Sequence, residues 1–278
     1  MFAITADSRI LRLHGVHDYC QSNSYGHESI VNPKSPVYSS RIRLFSVWLQ
    51  FTWWRMTMTV IPLFAPAAQS HEQATFQAIS DDLIAQGFSI QLNAISHELG
   101  EQLLHHLLNM SKQKFSPAGI GRESAQQLNR FVRSDEICWI NGDTPAGREW
   151  LEFASRLKDF LNQQLFLGLF SFETHFAHYG EGDFYKKHRD AFHGQANRVL
   201  SVVLYLNPGW QSQDGGELVI YDDEDQQLAK VLPSFATMAV FLSEEFPHEV
   251  LPAHRDRYSI AGWFRLNTTT GDKIDPPR

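Results

Sequence analysis

From residue 172 onward the apolar side chains stop recurring at helical spacing and alternate with polar ones, in short runs separated by turn residues. The runs are 172–179, 184–190, 198–206, 217–221, 236–242, 246–251 and 257–264, with turns such as "NPGW" and "QDGG" between them. A period of two over runs this short marks half-buried strands. Upstream the period is 3.6. "EQATFQAISDDLIAQ" places Phe76, Ile79 and Leu83 on one face, and Gly87 reads as a stop. "NAISHELGEQLLHHLLNM" is a second amphipathic helix with Asn93 or Ser96 as cap, and "EWLEFASRLKDFLNQQLF" is a third. "FSIQL" and "EICWING" add short strands, and 116–136 reads largely as a polar loop. Helices followed by a run of short strands predict an α+β fold, an antiparallel sandwich or barrel with helices packed on one side.

Residues 1–55 show neither period and scatter Ser, Asn, Gly and His. We expect an irregular N-terminal extension there, a mis-assigned start or a poorly ordered arm, ahead of one domain spanning 56–278. The apolar stretch 44–68 is broken by Gln50, Arg55, Pro62 and Pro66 before it reaches membrane-spanning length, so no membrane partner is expected. A net charge of −7 argues against a generic nucleic-acid binder. Cys20 and Cys138 stand alone, without the spacing of a zinc ribbon or a disulfide framework, and no secretory signal is visible. The expectation is a reduced, cytoplasmic protein.

Two His-x-Asp triplets occur, His188-Arg189-Asp190 and His254-Arg255-Asp256, and a chain with 13 His and 31 acidic residues yields such triplets by chance. The first lies in a strand run, where i and i+2 share a face, so His188 and Asp190 can address one ion while Lys187 and Arg189 point away. His248 in "EEFPHEVLP" is the candidate third ligand. Two imidazoles and a carboxylate on one face of an octahedral ion leave three positions open, an arrangement suited to non-haem Fe(II). The second triplet follows Pro252 in a turn and reads as a solvated loop. His97, His105 and His106 on the second helix lack an HExxH pattern and read as structural. Arg257 opens the apolar strand "RYSIAGWF" and shares a face with Ser259, Ala261 and Trp263. A guanidinium on a buried strand needs an anion, and its planar fork suits a carboxylate. A barrel with iron at its mouth and an arginine deeper inside would hold a dicarboxylate, and the keto acid 2-oxoglutarate fits.

The stretches "RSDEICWING", "HYGEGDFYKKHRD", "RVLSVVLYLN", "GGELVIY" and "PHEVLPAHRDRYSIAGWF" resemble, in order, the catalytic core of the prolyl 4-hydroxylase branch of Fe(II)/2-oxoglutarate dioxygenases. They are similar to the hypoxia-inducible-factor prolyl hydroxylases and their bacterial relatives, over residues 130–265. The resemblance implies a double-stranded β-helix, a cupin-like jelly roll with supporting N-terminal helices. It implies His188, Asp190 and His248 as iron ligands and catalytic residues, and Arg257 as the 2-oxoglutarate partner, bordered by Tyr205 and Tyr179. Trp263 would line the iron pocket. Arg198 would stand near the peptide entrance, with Asp135 able to pair with it, and the loop before "EICW" would match a mobile substrate lid. The implied cofactors and cosubstrates are Fe(II), 2-oxoglutarate and dioxygen, with ascorbate as an auxiliary reductant. The implied reaction is hydroxylation of a prolyl residue in a protein or peptide, elongation factor Tu being one target, with release of succinate and carbon dioxide. A same-fold dioxygenase acting on a free amino acid, a small metabolite or an alkylated base is the first rival, and a non-enzymatic cupin-like metal-binding sensor the second. The segment between Asp190 and Arg198 is shorter than in the animal enzymes.

Overall fold

In the computed structural model, residues 70–118, 131–191 and 197–268 are described. The expected extension 1–55 and residues 119–130 of the stretch expected as a substrate lid lie outside these residues. Among the described residues no helix is long and apolar enough to cross a membrane.

Helix α1 (His71–Gln86) starts where the Ser70 side chain accepts a hydrogen bond from the Gln73 amide, and it stops at Gly87, whose φ of 78° is left-handed. Helix α2 (His97–Leu108) is capped by Ser96. Helix α3 (Pro145–Leu165) begins four residues before the run that starts at Glu149, because Thr144 caps it and Pro145 occupies the first turn. Its buried stripe, Trp150, Phe153, Leu157 and Leu161, faces the sheet. Burial of each such side chain is worth roughly 1.5–3 kcal/mol.

All strand pairs are antiparallel. The strands are β1 (Phe88–Gln91), β2 (Ser116–Pro117), β3 (Glu136–Trp139), β4 (Ser171–Tyr179), β5 (Tyr185–His188), β6 (Arg198–Tyr205), β7 (Leu218–Tyr221), β8 (Gln227–Val231), β9 (Met238–Leu242), β10 (His248–Val250) and β11 (Arg257–Arg265). Seven form a major sheet in the order β1-β9-β6-β11-β4-β3-β2, and four a minor sheet in the order β5-β10-β7-β8. The expected jelly-roll architecture is present. The outer face of the major sheet, with Leu200, Leu204, Ile260 and Phe264, packs on the helices, and its inner face shares a second core with the minor sheet through Tyr205, Phe241, Leu218 and Ile220.

Three features depart from the sequence expectation. The run 184–190 ends as a strand at His188, where the register-shifted ladder of β5 with β10 stops; on its other side β5 has an isolated bridge from Tyr185 to Arg133. Asp190 therefore sits in a bend beyond the ladder. β8 is an edge strand, exposed at most positions, and "QLAKV" shows no apolar alternation by which to read it. β2 is a two-residue edge within the stretch read as polar loop.

Candidate metal centre and adjoining cavity

The two sheets open onto a cavity of about 150 Å³. His188 at the end of β5 and His248 at the start of β10 are directly paired across the minor sheet, which brings their rings to 4.3 Å between centroids. Asp190 completes the group. Its Oδ1 lies 3.5 Å from His188 Nε2 and its Oδ2 3.6 Å from His248 Nε2. One ligand atom from each residue falls within 4.8 Å of the others, and this is the one such group of three among the described residues. The other nitrogen of each ring faces a backbone carbonyl, Lys186 O for His188 at 2.8 Å and Phe246 O for His248 at 3.0 Å. Each Nε2 is thereby turned toward Asp190, the orientation in which an imidazole offers a lone pair to a metal.

Burial would push the Asp190 carboxyl up, but His248, His188 and Arg198 outweigh it and hold the group well below its usual range. Ser201 Oγ donates to Asp190 Oδ2 at 2.6 Å and is itself bonded to Ser243 Oγ at 2.9 Å. Burial, with the neighbouring His188, pulls His248 down to about 4. One carboxylate and two imidazole nitrogens form a nitrogen-and-oxygen donor set, which fits Fe(II).

Arg257 opens β11 on the major sheet and is 1% exposed. Its Nε donates to Gly216 O at 2.8 Å and its Nη1 to Ser259 Oγ at 3.2 Å. The guanidinium lies 4.8 Å from the Tyr179 ring centroid and 5.1 Å from that of Tyr205. No carboxylate pairs with it among the described residues, whereas Arg133 and Arg198 on the same cavity each have one. A buried guanidinium without a counter-anion is costly, and a bound carboxylate offsets that cost. The Tyr205 hydroxyl beside it is buried with no well-aligned hydrogen bond among the described residues, and burial raises its pKa to about 12 against the lowering by Arg257. Tyr179 is raised by burial and by Asp135. Both stay neutral at ordinary pH and can donate.

Trp263 also lines the cavity, and the Arg198 guanidinium carbon stands over its ring, 3.6 Å from the centroid. The expected pairing of Arg198 with Asp135 is corrected. Asp135 binds Arg133, its neighbour two residues back, at 2.6 Å, and Arg198 binds Glu173 at 2.8 Å. Glu173 lies on β4, two strands from β6 across β11, and its register reaches Arg198 past Trp263. The second triplet is a surface turn as read. His254 Nδ1 faces Gln213 O, and Asp256 pairs with His178.

Sequence reasoning missed Ser201, Glu173, Arg133 and His175. His175 lines the cavity between Trp139 and Trp263, with ring centroids 5.1 and 5.5 Å away, and its Nδ1 is buried without a partner. The signal available for Ser201 and His175 was phase. Ser201, Val203 and Tyr205 alternate inward on β6, as His175, Ala177 and Tyr179 do on β4.

A family profile described as the 2OG-Fe(II) oxygenase superfamily matches residues 174–265. Human Egl nine homolog 1 is 31% identical over 145 residues, 49% of this chain. The chain spans about a third of that relative's length, 34%. The crystal structure of a Pseudomonas putida prolyl-4-hydroxylase superposes with a TM-score of 0.62 at 38% identity, covering 69% of this chain and 98% of that one. A Trichoplax adhaerens prolyl hydroxylase, solved with a fragment of the hypoxia-inducible-factor oxygen degradation domain, gives the same TM-score at 29% identity, over 70% and 90% of the two chains.

Proposed function

The chain belongs to the 2OG-Fe(II) oxygenase superfamily, and from that premise we propose that it hydroxylates a prolyl residue of a protein or peptide. In that reading His188, Asp190 and His248 hold iron, and one molecule each of 2-oxoglutarate and dioxygen yields the hydroxylated residue, succinate and carbon dioxide. Bound Fe(II) supplies the redox chemistry that couples decarboxylation of the keto acid to oxidation of an unactivated C–H bond, which no acid–base side chain could deprotonate. Arg257 grips the far carboxylate of 2-oxoglutarate, and the Tyr205 hydroxyl donates to it. Gly216 and Ser259 fix the angle of the guanidinium before the cosubstrate arrives, which limits the ordering cost of binding. On the substrate side Trp263, with the Arg198 guanidinium carbon over it, and Trp139 form an aromatic wall against which a pyrrolidine ring can pack.

The observation that carries the reading is the buried, carboxylate-free Arg257 on the same cavity as the His–Asp–His group. The prolyl substrate is supported by the relatives described above, and elongation factor Tu is the first protein to assay. Mass spectrometry of proteins from cells with and without the gene should find one oxygen atom added to a proline in the first only. Succinate release on adding free amino acids or alkylated bases, and not prolyl peptides, would favour the small-substrate reading. No 2-oxoglutarate turnover by the iron-loaded protein in air would leave a metal-binding sensor.

A further inference from the structure

We propose that Arg189 is a positioning residue of the metal centre, a strap joining the arm that carries His188 and Asp190 to the loop that delivers His248. The inference rests on the reading of those three residues as ligands. Backbone pairing between the two arms is sparse. β5 and β10 share only the pairs His188↔His248 and Val250↔Tyr185, with a register shift between them. The ladder ends at His188, so no strand pairing fixes Asp190 relative to the chain that precedes His248.

Arg189 stands where the ladder stops, and alternation turns its side chain away from the cavity that His188 and Asp190 face. Its Nη1 donates to the carbonyls of Glu244 at 2.7 Å and Glu245 at 3.0 Å, and its Nη2 to the Asp223 carboxylate at 2.6 Å. Glu244 and Glu245 follow β9 and lead into His248. The next residue, Phe246, supplies the carbonyl that orients the His248 ring. One short loop is thus held from outside by Arg189 and sets the imidazole on its inside. The planar fork of a guanidinium reaches both carbonyls and the carboxylate at once, which the single ammonium of lysine does not reproduce. If Arg189 only pinned a surface loop, its removal would lower stability without altering coordination.

The test uses the full-length protein with Co(II) in place of Fe(II), reading affinity by titration, the visible absorption of the bound ion, and the melting temperature of the metal-free form. Arg189→Ala should weaken Co(II) binding about 10- to 100-fold, the usual cost of losing a group that orients a ligand. It should also change the absorption bands, with Arg189→Lys falling between it and the parent. Arg189→Lys carries the comparison alone if Arg189→Ala does not fold. His188→Ala separates this idea from its premise. If His188→Ala loses Co(II) while the Arg189 variants keep parental affinity and spectrum, the strap is overturned, whatever happens to their melting temperatures. If His188→Ala binds Co(II) as tightly as the parent, the ligand reading fails and the strap with it.

Discussion

A methyl group added to Gly216 would meet Arg257 Cδ at 2.9 Å, and the Gly216 carbonyl accepts from Arg257 Nε at 2.8 Å. The turn before β7 therefore presses against the stem of the guanidinium and also bonds its head. Gly216 has a φ of +68°, where an L side chain is strained. Gly216→Ala should cost about 1–3 kcal/mol of stability and raise the KM for 2-oxoglutarate, because Arg257 must shift to admit the methyl. Urea unfolding and succinate assays at varied 2-oxoglutarate measure the two effects.

Arg257→Met tests function against stability at one position. Replacing a buried charge that lacks a counter-anion by an apolar chain of similar length is often neutral or stabilising. The variant should melt at or above the parental temperature without cosubstrate. It should lose the rise in melting temperature that 2-oxoglutarate gives the parent. A variant that still gained stability from 2-oxoglutarate would show that the far carboxylate is held elsewhere.

Ser201→Ala removes the hydroxyl that donates to Asp190 Oδ2. Asp190 can then rotate, and metal affinity should fall about tenfold, read by Mn(II) or Co(II) titration. Ser201→Thr keeps the hydroxyl and should recover part of that loss.

Asp135 has no exposed side-chain surface and pairs with Arg133, itself largely buried. Asp135→Ala removes both hydrogen bonds that this carboxylate accepts from Arg133, and breaking a buried pair costs about 3–5 kcal/mol. Urea midpoints should show this loss. Arg133→Met combined with Asp135→Ala should restore much of it.

His175 is pulled down to about 3 by burial, then by Arg133 and Arg198. Its ordinary value is 6.5. Between those values the unfolded chain binds a proton that the folded protein refuses, so stability is present above pH 6.5 and falls on acidification, by about 1.4 kcal/mol per pH unit for one such group. In the metal-free protein His175→Phe should flatten this acid limb by one proton's worth. An unchanged slope across pH 4–6 would place the titration elsewhere.

The inward face of β11 was legible before any coordinates, because Arg257, Ser259, Ala261 and Trp263 follow strict alternation on a long strand paired on both sides. The iron-type triplet was legible for the same reason as far as His188; Asp190 reached the site although the strand had already ended. The partners of Arg198 and Asp135 were not legible. They depend on which strand lies two places away in the sheet, and the choice between Glu173 and Asp135 is a matter of register, which sequence spacing does not encode. β8 was invisible because an exposed edge strand need not alternate.

The ligand-type residues His188 and His248 belong to the minor sheet, and Arg257 belongs to the major one. A keto-diacid anchored at both ends would therefore bridge two independently hydrogen-bonded layers, and the gap between those layers acts as a gauge of chain length. Oxaloacetate is one methylene too short for a spacing cut to 2-oxoglutarate, and 2-oxoadipate is one too long. Selectivity among these diacids would then be set in part by side chains outside the cavity lining, the Phe241 and Ile220 packing that holds the layers apart.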